Sequence, residues 1–310
     1  MVNVWSDMEH DMIHFKDKFL EKYSKYTDIE KFKEYSLKNL RKSIRVNTLK
    51  IDIQDLKKRL EEYENNSDIN YNLEQIPWCK EGFFIEGKAI GNLKEHFLGY
   101  FYIQEGASMI PAQILNPGEE LVLDMCAAPG SKTTQLASIM KNKGLIVAND
   151  IEIKRLKALS LNLQRCGVSN TVMTYMKGYH IKERFDKILL DAPCSGTGII
   201  RKSLHTLEIW NQNMLKKLSN DQKRLLVSGF ECLNEDGILV YSTCSIDKDE
   251  NEDVIQYLLD KYDNIKLENI EIDIKRSEVL SDNKELKKCL RIWPQDNNSS
   301  GFFVAKIRKC

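Results

Sequence analysis

The chain of 310 residues has no net charge, because 46 Lys and Arg balance 46 Asp and Glu. That excludes a histone-like polyelectrolyte, which holds its partner through a large excess of one sign, although a local patch can sit inside a balanced total. The eight cysteines, at 79, 126, 166, 194, 232, 244, 289 and 310, include no Cys-x-x-Cys pair. Zinc ribbons and thioredoxin-like redox motifs are therefore not read here. The N-terminus lacks a charged start followed by an apolar core, so no secretory signal is read, and no apolar run reaches membrane-spanning length. Internal repeats and low-complexity segments are missing as well. A reducing cytoplasm is the expected compartment, with free thiols available for chemistry. No membrane partner and no metal are expected, and the expected state is a monomer.

Two motifs come close and fail on spacing. Gly130-Ser131-Lys132-Thr133 looks like a phosphate-binding loop, but that loop has Gly directly before Lys and another Gly five positions earlier. Here Ser131 intervenes and Met125 stands at the earlier position. His10-Asp-Met-Ile-His14 has the two-His spacing of a zinc-protease helix, which requires Glu after the first His. Asp11 is shorter, and the segment reads as an amphipathic helix over Met8–Lys22 with Met8, Met12, Phe15 and Phe19 on one face.

What is present is organised around Leu121–Thr134, LVLDMCAAPGSKTT. An apolar run ends in Asp124, Ala127-Ala128-Pro129-Gly130 makes a tight turn, and a helical pattern resumes at Ser131. This is the strand, turn and helix N-terminus with which α/β proteins hold a ligand at the carboxyl end of a strand. The next apolar run, Leu145–Asn149, ends at Asp150, where a carboxylate reaches ribose hydroxyls. A small-residue turn followed by an acid fits a nucleoside cofactor without a pyrophosphate, S-adenosylmethionine first among them.

The length suggests two domains, and 42% apolar residues suffice for a sizeable core. Before Leu121, helices are expected at Ile29–Lys38 and Gln54–Glu64, strands at Ser43–Leu49 and Gly82–Glu86, and a loop at Asn65–Asn72. Residues 1–102 are thus expected to form a small α+β domain and 103–310 a second one, with a soft boundary near Leu98–Gln104. Residues 31–60 hold ten Lys/Arg against three acids, which is either a solvated helix face or an RNA-binding surface. From Leu121 the rhythm is β-α, with strands at 121–126, 145–149, 171–176, 187–192 and 238–243 and a helix at Lys154–Cys166. That pattern is a Rossmann-like, doubly wound, mostly parallel sheet. Cys289–Trp293 and Phe302–Arg308 are joined by a short polar loop, so an antiparallel edge strand is expected.

Two more strands end in cysteine-bearing segments, Asp191-Ala-Pro-Cys194-Ser-Gly-Thr-Gly and Tyr241-Ser-Thr-Cys244-Ser, the second followed by an acidic helix at Asp247–Leu259. A lone Cys at a strand end is usually structural. Two at neighbouring strand ends, both close to helix N-termini that lower a thiol pKa, point to reactivity. The other cysteines outside the Leu121 motif read as structural.

The motifs Asp124-x-Cys126-Ala-Ala-Pro-Gly-x-Lys-Thr, Asp191-Ala-Pro-Cys194-Ser-Gly and Ser242-Thr-Cys244-Ser resemble the signatures of the Nol/Nop/Sun RNA cytosine carbon-5 methyltransferases. Ser43-Ile-Arg-Val-Asn-Thr-Leu, Gln104-Glu-Gly-Ala-Ser-Met and Gly301-Phe-Phe-Val-Ala extend the resemblance over nearly the whole chain. It implies that Cys244 is the nucleophile, that Cys194 assists release and that Asp191 stabilises the protonated ring nitrogen beside the methionine moiety. Lys132 belongs by the same resemblance to both the catalytic group and the cofactor loop. The cofactor is placed on Cys126, Ala127, Ala128, Pro129, Gly130, Ser131 and Lys132, with Asp150, Arg155 and Asp191. One departure is that Met176-Lys177-Gly178 stands where the family commonly has an acid near the adenine, so no adenine contact is carried over.

Carbon 5 of cytosine is a poor nucleophile, and the implied chemistry solves that by adding a thiolate to carbon 6 so that the ring becomes an enamine. The expected partner is RNA. Compact members of this kind look like the archaeal-type transfer-RNA branch, with ribosomal RNA as the alternative. The chain ends at its last expected strand, so recognition is expected from residues 1–102 and the sheet edge. A catalytically inactive RNA-binding scaffold is the second class of reading, since a fold does not imply activity. Intact Cys194, Cys244 and Asp191 speak against it. An amine methyltransferase presents an aromatic after its strand-four Pro, and Ala192-Pro193-Cys194 offers none.

Overall fold

The computed structural model describes residues 15–66 and 71–310. Met8, His10, Met12 and His14 of the expected first helix lie outside the described residues. Its described part is α1, Asp17–Tyr23, and α2 comes next, Ile29–Leu37, whose N-cap Asp28 accepts from the Lys31 backbone N–H. Then come β1 (Ser43–Val46), α3 (Ile53–Asn66), β2 (Leu73–Gln75), β3 (Gly82–Ile85), α4 (Lys94–Phe97) and β4 (Phe101–Ile103). The four strands make an antiparallel sheet of order β2-β3-β1-β4, with Ile44 of β1 facing Ile103 of β4. The expected strand over Ser43–Leu49 stops at Val46 because Asn47 turns the chain: its carbonyl accepts from Lys50 N–H, and its side chain donates to Gly99 and Cys166 carbonyls, each at 2.8 Å. Helix α3 runs two residues past Glu64 into the segment expected as loop.

The second half begins with α5 (Ile110–Leu115) and β5 (Leu121–Asp124), then α6 (Ser131–Ile139), β6 (Leu145–Asp150), α7 (Ile153–Cys166), β7 (Thr171–Tyr175) and β8 (Phe185–Asp191). It continues with α8 (His205–Ile209), α9 (Gln212–Glu231), β9 (Leu233–Thr243), α10 (Glu252–Lys261), β10 (Ile265–Glu268), β11 (Leu290–Ile292), α11 (Pro294–Asn297) and β12 (Phe302–Lys309). The sheet has the order β10-β12-β9-β8-β5-β6-β7, with β11 attached to β12. Strands β5 to β9 are parallel to one another, as the β-α rhythm requires.

The antiparallel end of the sheet is larger than expected. Strands β11 and β12 form the anticipated hairpin, but β12 lies between β9 and β10 and is antiparallel to both. The edge is shared by β11 and β10, which pair with successive parts of β12; β10 is four residues whose polar alternation, Ile-Lys-Leu-Glu, carries too little apolar signal to read alone.

Successive side chains point to opposite faces of a strand, and the core divides accordingly. Leu123, Ile188, Leu190, Leu239 and Tyr241 pack against α9 and α10 through Leu226, Phe230, Val254 and Leu258. Their neighbours Val122, Leu189 and Val240 face α5 and α6 through Ile110, Leu115 and Leu136. A buried ion pair ties α10 to β11: Arg291 donates to both oxygens of Glu252, at 2.7 and 2.5 Å, and to the Ile246 carbonyl at 2.8 Å.

Candidate active site

Five parallel strands end on one edge, and the sequence motifs meet there because β5 neighbours β6 and β8, and β8 neighbours β9. After β5 the turn closes through Gly130 N–H to the Ala127 carbonyl and Ala127 N–H to the Asn149 carbonyl, each 2.8 Å. Gly130 has φ of +105°, and a Cβ there would stand 2.8 Å from Leu159 Cδ1. A glycine is thus required for the conformation, while the Leu159 methyl would have to shift for a larger residue.

Asp150 ends β6 almost fully buried. Its carboxylate accepts from Ala128 N–H at 3.1 Å and Glu152 N–H at 3.0 Å, and Arg155 stands 3.4 Å away while donating to the Ala128 carbonyl. Asp150 and Arg155 thereby hold the turn from outside. Asp124 accepts from Thr133 Oγ1 at 2.7 Å through one oxygen, while the other, buried, has no hydrogen-bond partner. Burial, with Asp191 and Asp150 nearby, raises its pKa to about 7. A carboxyl oxygen left without a donor beside a turn of small residues suits a cationic, nucleoside-bearing ligand, so these residues fit S-adenosylmethionine. Cys126, on the same turn, has its thiol pushed up by burial and is no nucleophile as it stands.

Asp191 ends β8 directly opposite Ser242 of β9. Its two oxygens accept from Lys132 Nζ at 2.6 Å and Ser242 Oγ at 2.7 Å, and Lys132 also donates to Ser108 Oγ at 3.0 Å. A half-exposed carboxylate, 30% accessible at its side chain against 8% for Lys132, is therefore fixed in position and still reachable.

Just beyond lie the two thiols. Cys194 Sγ and Cys244 Sγ are 3.2 Å apart. The hydrogen bond to Cys244, then burial, pushes the Cys194 thiol well above its ordinary range. This reverses the lowering expected from a nearby helix N-terminus: only a 3-10 turn, Thr197–Lys202, comes after Cys194, and the neighbouring sulfur and burial dominate, with Glu250 adding to them. Cys194 is therefore held towards its protonated form.

Four contributors escaped the sequence reading. Ser108 lies inside a quoted motif and Ser242 beside Cys244, yet neither has a spacing that declares a role. Glu250, in the segment read as acidic helix, is buried in a 3-10 turn between the two cysteine loops. Arg45, counted with the basic excess of residues 31–60, is 2% exposed. It donates to the Ser131 carbonyl at 2.7 Å and Thr134 Oγ1 at 2.8 Å, joining β1 to the start of α6.

The rest of that basic excess is largely engaged. Lys38 pairs with Glu34 at 2.5 Å, Arg41 bridges to Glu74 while lying 3.8 Å from the Phe84 ring centroid, and Lys42 donates to the Gly87 carbonyl at 3.1 Å. Arg201, outside that stretch, is bonded to the Lys38 and Asn39 carbonyls and to Asn298. Lys202 beside it is exposed.

The sheet and the small-residue turn after β5 fit an S-adenosylmethionine-dependent methyltransferase, and the comparisons with known proteins show that class. The sequence profile of the 16S rRNA methyltransferase RsmB/F family matches residues 112–308, and that of the N-terminal domain of 16S rRNA methyltransferase RsmF matches residues 15–106. The chain belongs to the RsmB/F family. It is 42% identical to a tRNA (cytosine(49)-C(5))-methyltransferase of Pyrococcus abyssi, over 98% of this chain and 99% of that protein. It is 41% identical to ribosomal RNA small subunit methyltransferase F of Aliivibrio salmonicida, over 97% of this chain but 65% of that protein. A crystal structure of a methyltransferase homolog from Pyrococcus horikoshii superposes with a TM-score of 0.86 at 37% identity, covering 99% of this chain and 100% of that one. Among the described residues, no helix is long and apolar enough to cross a membrane.

Proposed function

We propose that this protein transfers the methyl group of S-adenosylmethionine to carbon 5 of a cytosine in RNA, through a bond between Cys244 and carbon 6. The observation that carries this reading is the pair of thiols 3.2 Å apart beside an Asp191 held by Lys132 and Ser242. When bound, S-adenosylmethionine supplies an electrophilic methyl group. Cys244 adds as thiolate to carbon 6, and Asp191 hydrogen-bonds the polar edge of the ring and stabilises the protonated ring nitrogen. Lys132 balances the charge of Asp191 and keeps it aimed. Once carbon 5 carries the methyl group, a base takes its proton, that electron pair restores the 5,6 double bond, and the carbon 6–sulfur bond breaks with its pair going to Cys244. The Cys194 thiol donates a hydrogen bond to that departing sulfur, which is its part in release.

The turn Cys126–Lys132, with Asp150 and Arg155, holds the cofactor in this reading. Residues 1–102 supply RNA binding and 103–310 methyl transfer, in a monomeric, cytoplasmic enzyme. Transfer RNA is the proposed substrate class, supported by the end-to-end match to a transfer-RNA enzyme. Ribosomal RNA is the second reading, favoured by the family profiles. The test is to incubate the protein with S-adenosylmethionine and separated transfer and ribosomal RNA, then digest to nucleosides for mass spectrometry. New 5-methylcytosine in transfer RNA is expected. Methyl groups on adenosine or ribose would overturn the chemistry, and 5-methylcytosine in ribosomal RNA alone would move the substrate.

A further inference from the structure

The loops bearing the two thiols come from different strands, β8 and β9, and nothing in parallel-strand pairing fixes how they stand beyond the sheet. Several bonds cross between the loops, Ser195 Oγ to Ser245 Oγ at 3.2 Å among them, and one carboxylate bonds to both. Glu250 is fully buried, with no Lys or Arg paired to it among the described residues. Its Oε1 accepts from Ser195 N–H at 2.9 Å and from Gln222 Nε2 at 3.0 Å. Its Oε2 accepts from Ser195 Oγ at 2.5 Å and Ser245 Oγ at 2.6 Å. Ser195 directly follows Cys194 and Ser245 directly follows Cys244, so one side chain holds the neighbour of each sulfur.

The surroundings make Glu250 rigid. Its backbone carbonyl accepts from Tyr241 OH at 2.6 Å, and Gln222, reaching in from α9, also donates to the Pro193 carbonyl at 2.8 Å. Thr197 Oγ1 and Ser245 Oγ lie 3.0 Å apart across the same seam, and Gly198 N–H donates to the Cys244 carbonyl at 2.9 Å. Burying an ionised carboxylate costs several kcal/mol unless its oxygens are satisfied by donors. A hydrophobic residue could hold α9 against the sheet without that cost. What it could not do is set the distance and direction between two particular loop residues.

We propose that Glu250 is a positioning residue for the release step. By clasping Ser195 and Ser245 it keeps the Cys194 thiol aimed at the Cys244 sulfur, so that this thiol can stabilise Cys244 as the carbon 6–sulfur bond breaks. This rests on the reading of Cys244 as nucleophile. The charge of Glu250 also helps keep the Cys194 proton in place. The hydrogen bonds of the Glu250 side chain go to Ser195, Gln222 and Ser245 and not to Asp150 or residues 126–132, so cofactor affinity is not expected to depend on it.

The test compares Glu250→Ala, Glu250→Gln and the double variant Ser195→Ala/Ser245→Ala in single-turnover reactions at saturating RNA and S-adenosylmethionine. Two quantities are followed: the denaturation-resistant protein–RNA adduct and free methylated RNA. In Glu250→Ala and in the double variant the adduct is expected to form and decay about tenfold to a hundredfold more slowly, the loss that accompanies ångström-scale misplacement, with decay slowed more than formation. Cofactor affinity should stay level. Glu250→Gln retains both hydrogen-bonding ends, and the serine hydroxyls can turn to meet its amide, so it should restore most of the release rate. The double variant keeps Glu250 buried and guards against simple unfolding of Glu250→Ala. Adduct decay at the wild-type rate in a folded variant, or equal loss of formation and decay, would overturn the positioning role. If the wild-type protein forms no adduct and no 5-methylcytosine, it is the underlying reading that fails.

Discussion

Cys194 and Cys244 bring their sulfur atoms to 3.2 Å, although 50 residues separate them in the chain. The contact is close enough for one thiol to hydrogen-bond the other, and the proton stays on Cys194, whose thiol is held up by that bond and by burial. In the proposed mechanism the two sulfurs are unequal: Cys244 attacks, and Cys194 keeps its proton for the release step.

Their inequality should separate in variants. Cys194→Ala is expected to accumulate a protein–RNA adduct that survives denaturing electrophoresis, because Cys244 can still attack but departs poorly. Cys244→Ala should yield neither adduct nor product. The reverse pattern would exchange the roles.

The Asp124 carboxyl gives a pH dependence. Its pKa in the folded protein, about 7, lies above the ordinary carboxyl value of about 3.9. The folded form therefore holds a proton that the unfolded form has released. That contribution to stability is present at acid pH and is lost as pH rises through about 7. Asp124→Asn should remove this part of the decline, so the stability difference between variant and wild type should grow from pH 6 to pH 8 in urea titrations. A cationic cofactor favours the ionised carboxyl, so its affinity should fall by up to about tenfold per pH unit below that value. Calorimetry giving the same pH profile in Asp124→Asn and wild type would contradict this.

Arg45 separates two accounts of the basic excess. As a buried tie to Ser131 and Thr134, it should lower the melting temperature and weaken S-adenosylmethionine binding when changed to Ala. As a phosphate contact it would instead flatten the salt dependence of RNA binding, by roughly 0.7 to 0.9 in the log–log slope. An unchanged salt slope is expected.

The Arg291–Glu252 pair predicts a stability effect with little catalytic consequence of its own. Arg291→Met leaves Glu252 charged and buried without its partner, at a cost of about 3–5 kcal/mol. The double change Arg291→Met/Glu252→Leu removes both charges and should recover much of the loss, read from chemical denaturation midpoints. A single variant as stable as wild type would show that Glu252 finds another partner or takes up a proton.

Much of this site was legible because its chemistry is local in sequence. Small residues after β5, an acid ending β6 and cysteines ending two later strands are each visible in a few letters, and parallel sheets bring strand ends to one edge. Residues acting across loops were less so. Glu250 reads as one acid of an acidic helix, and nothing in its spacing from Cys194 tells that the two loops meet on it. Arg45 misled for a related reason: charge counting treats every cation as exposed, whereas this one is buried against the start of α6. Strand β10 went unread because it owes its existence to β12, whose free edge it covers, rather than to its own pattern.

Which sulfur bonds to carbon 6 decides the mechanism, and it can be read in the intact protein. RNA carrying 5-fluorocytosine accepts addition and methylation, but fluorine cannot leave as a proton does, so the adduct persists. Proteolysis and mass spectrometry of the trapped complex should place the nucleotide on the peptide containing Cys244, with Cys194 unmodified. A nucleotide on Cys194, or no covalent complex from a preparation that makes 5-methylcytosine in ordinary RNA, would contradict the mechanism.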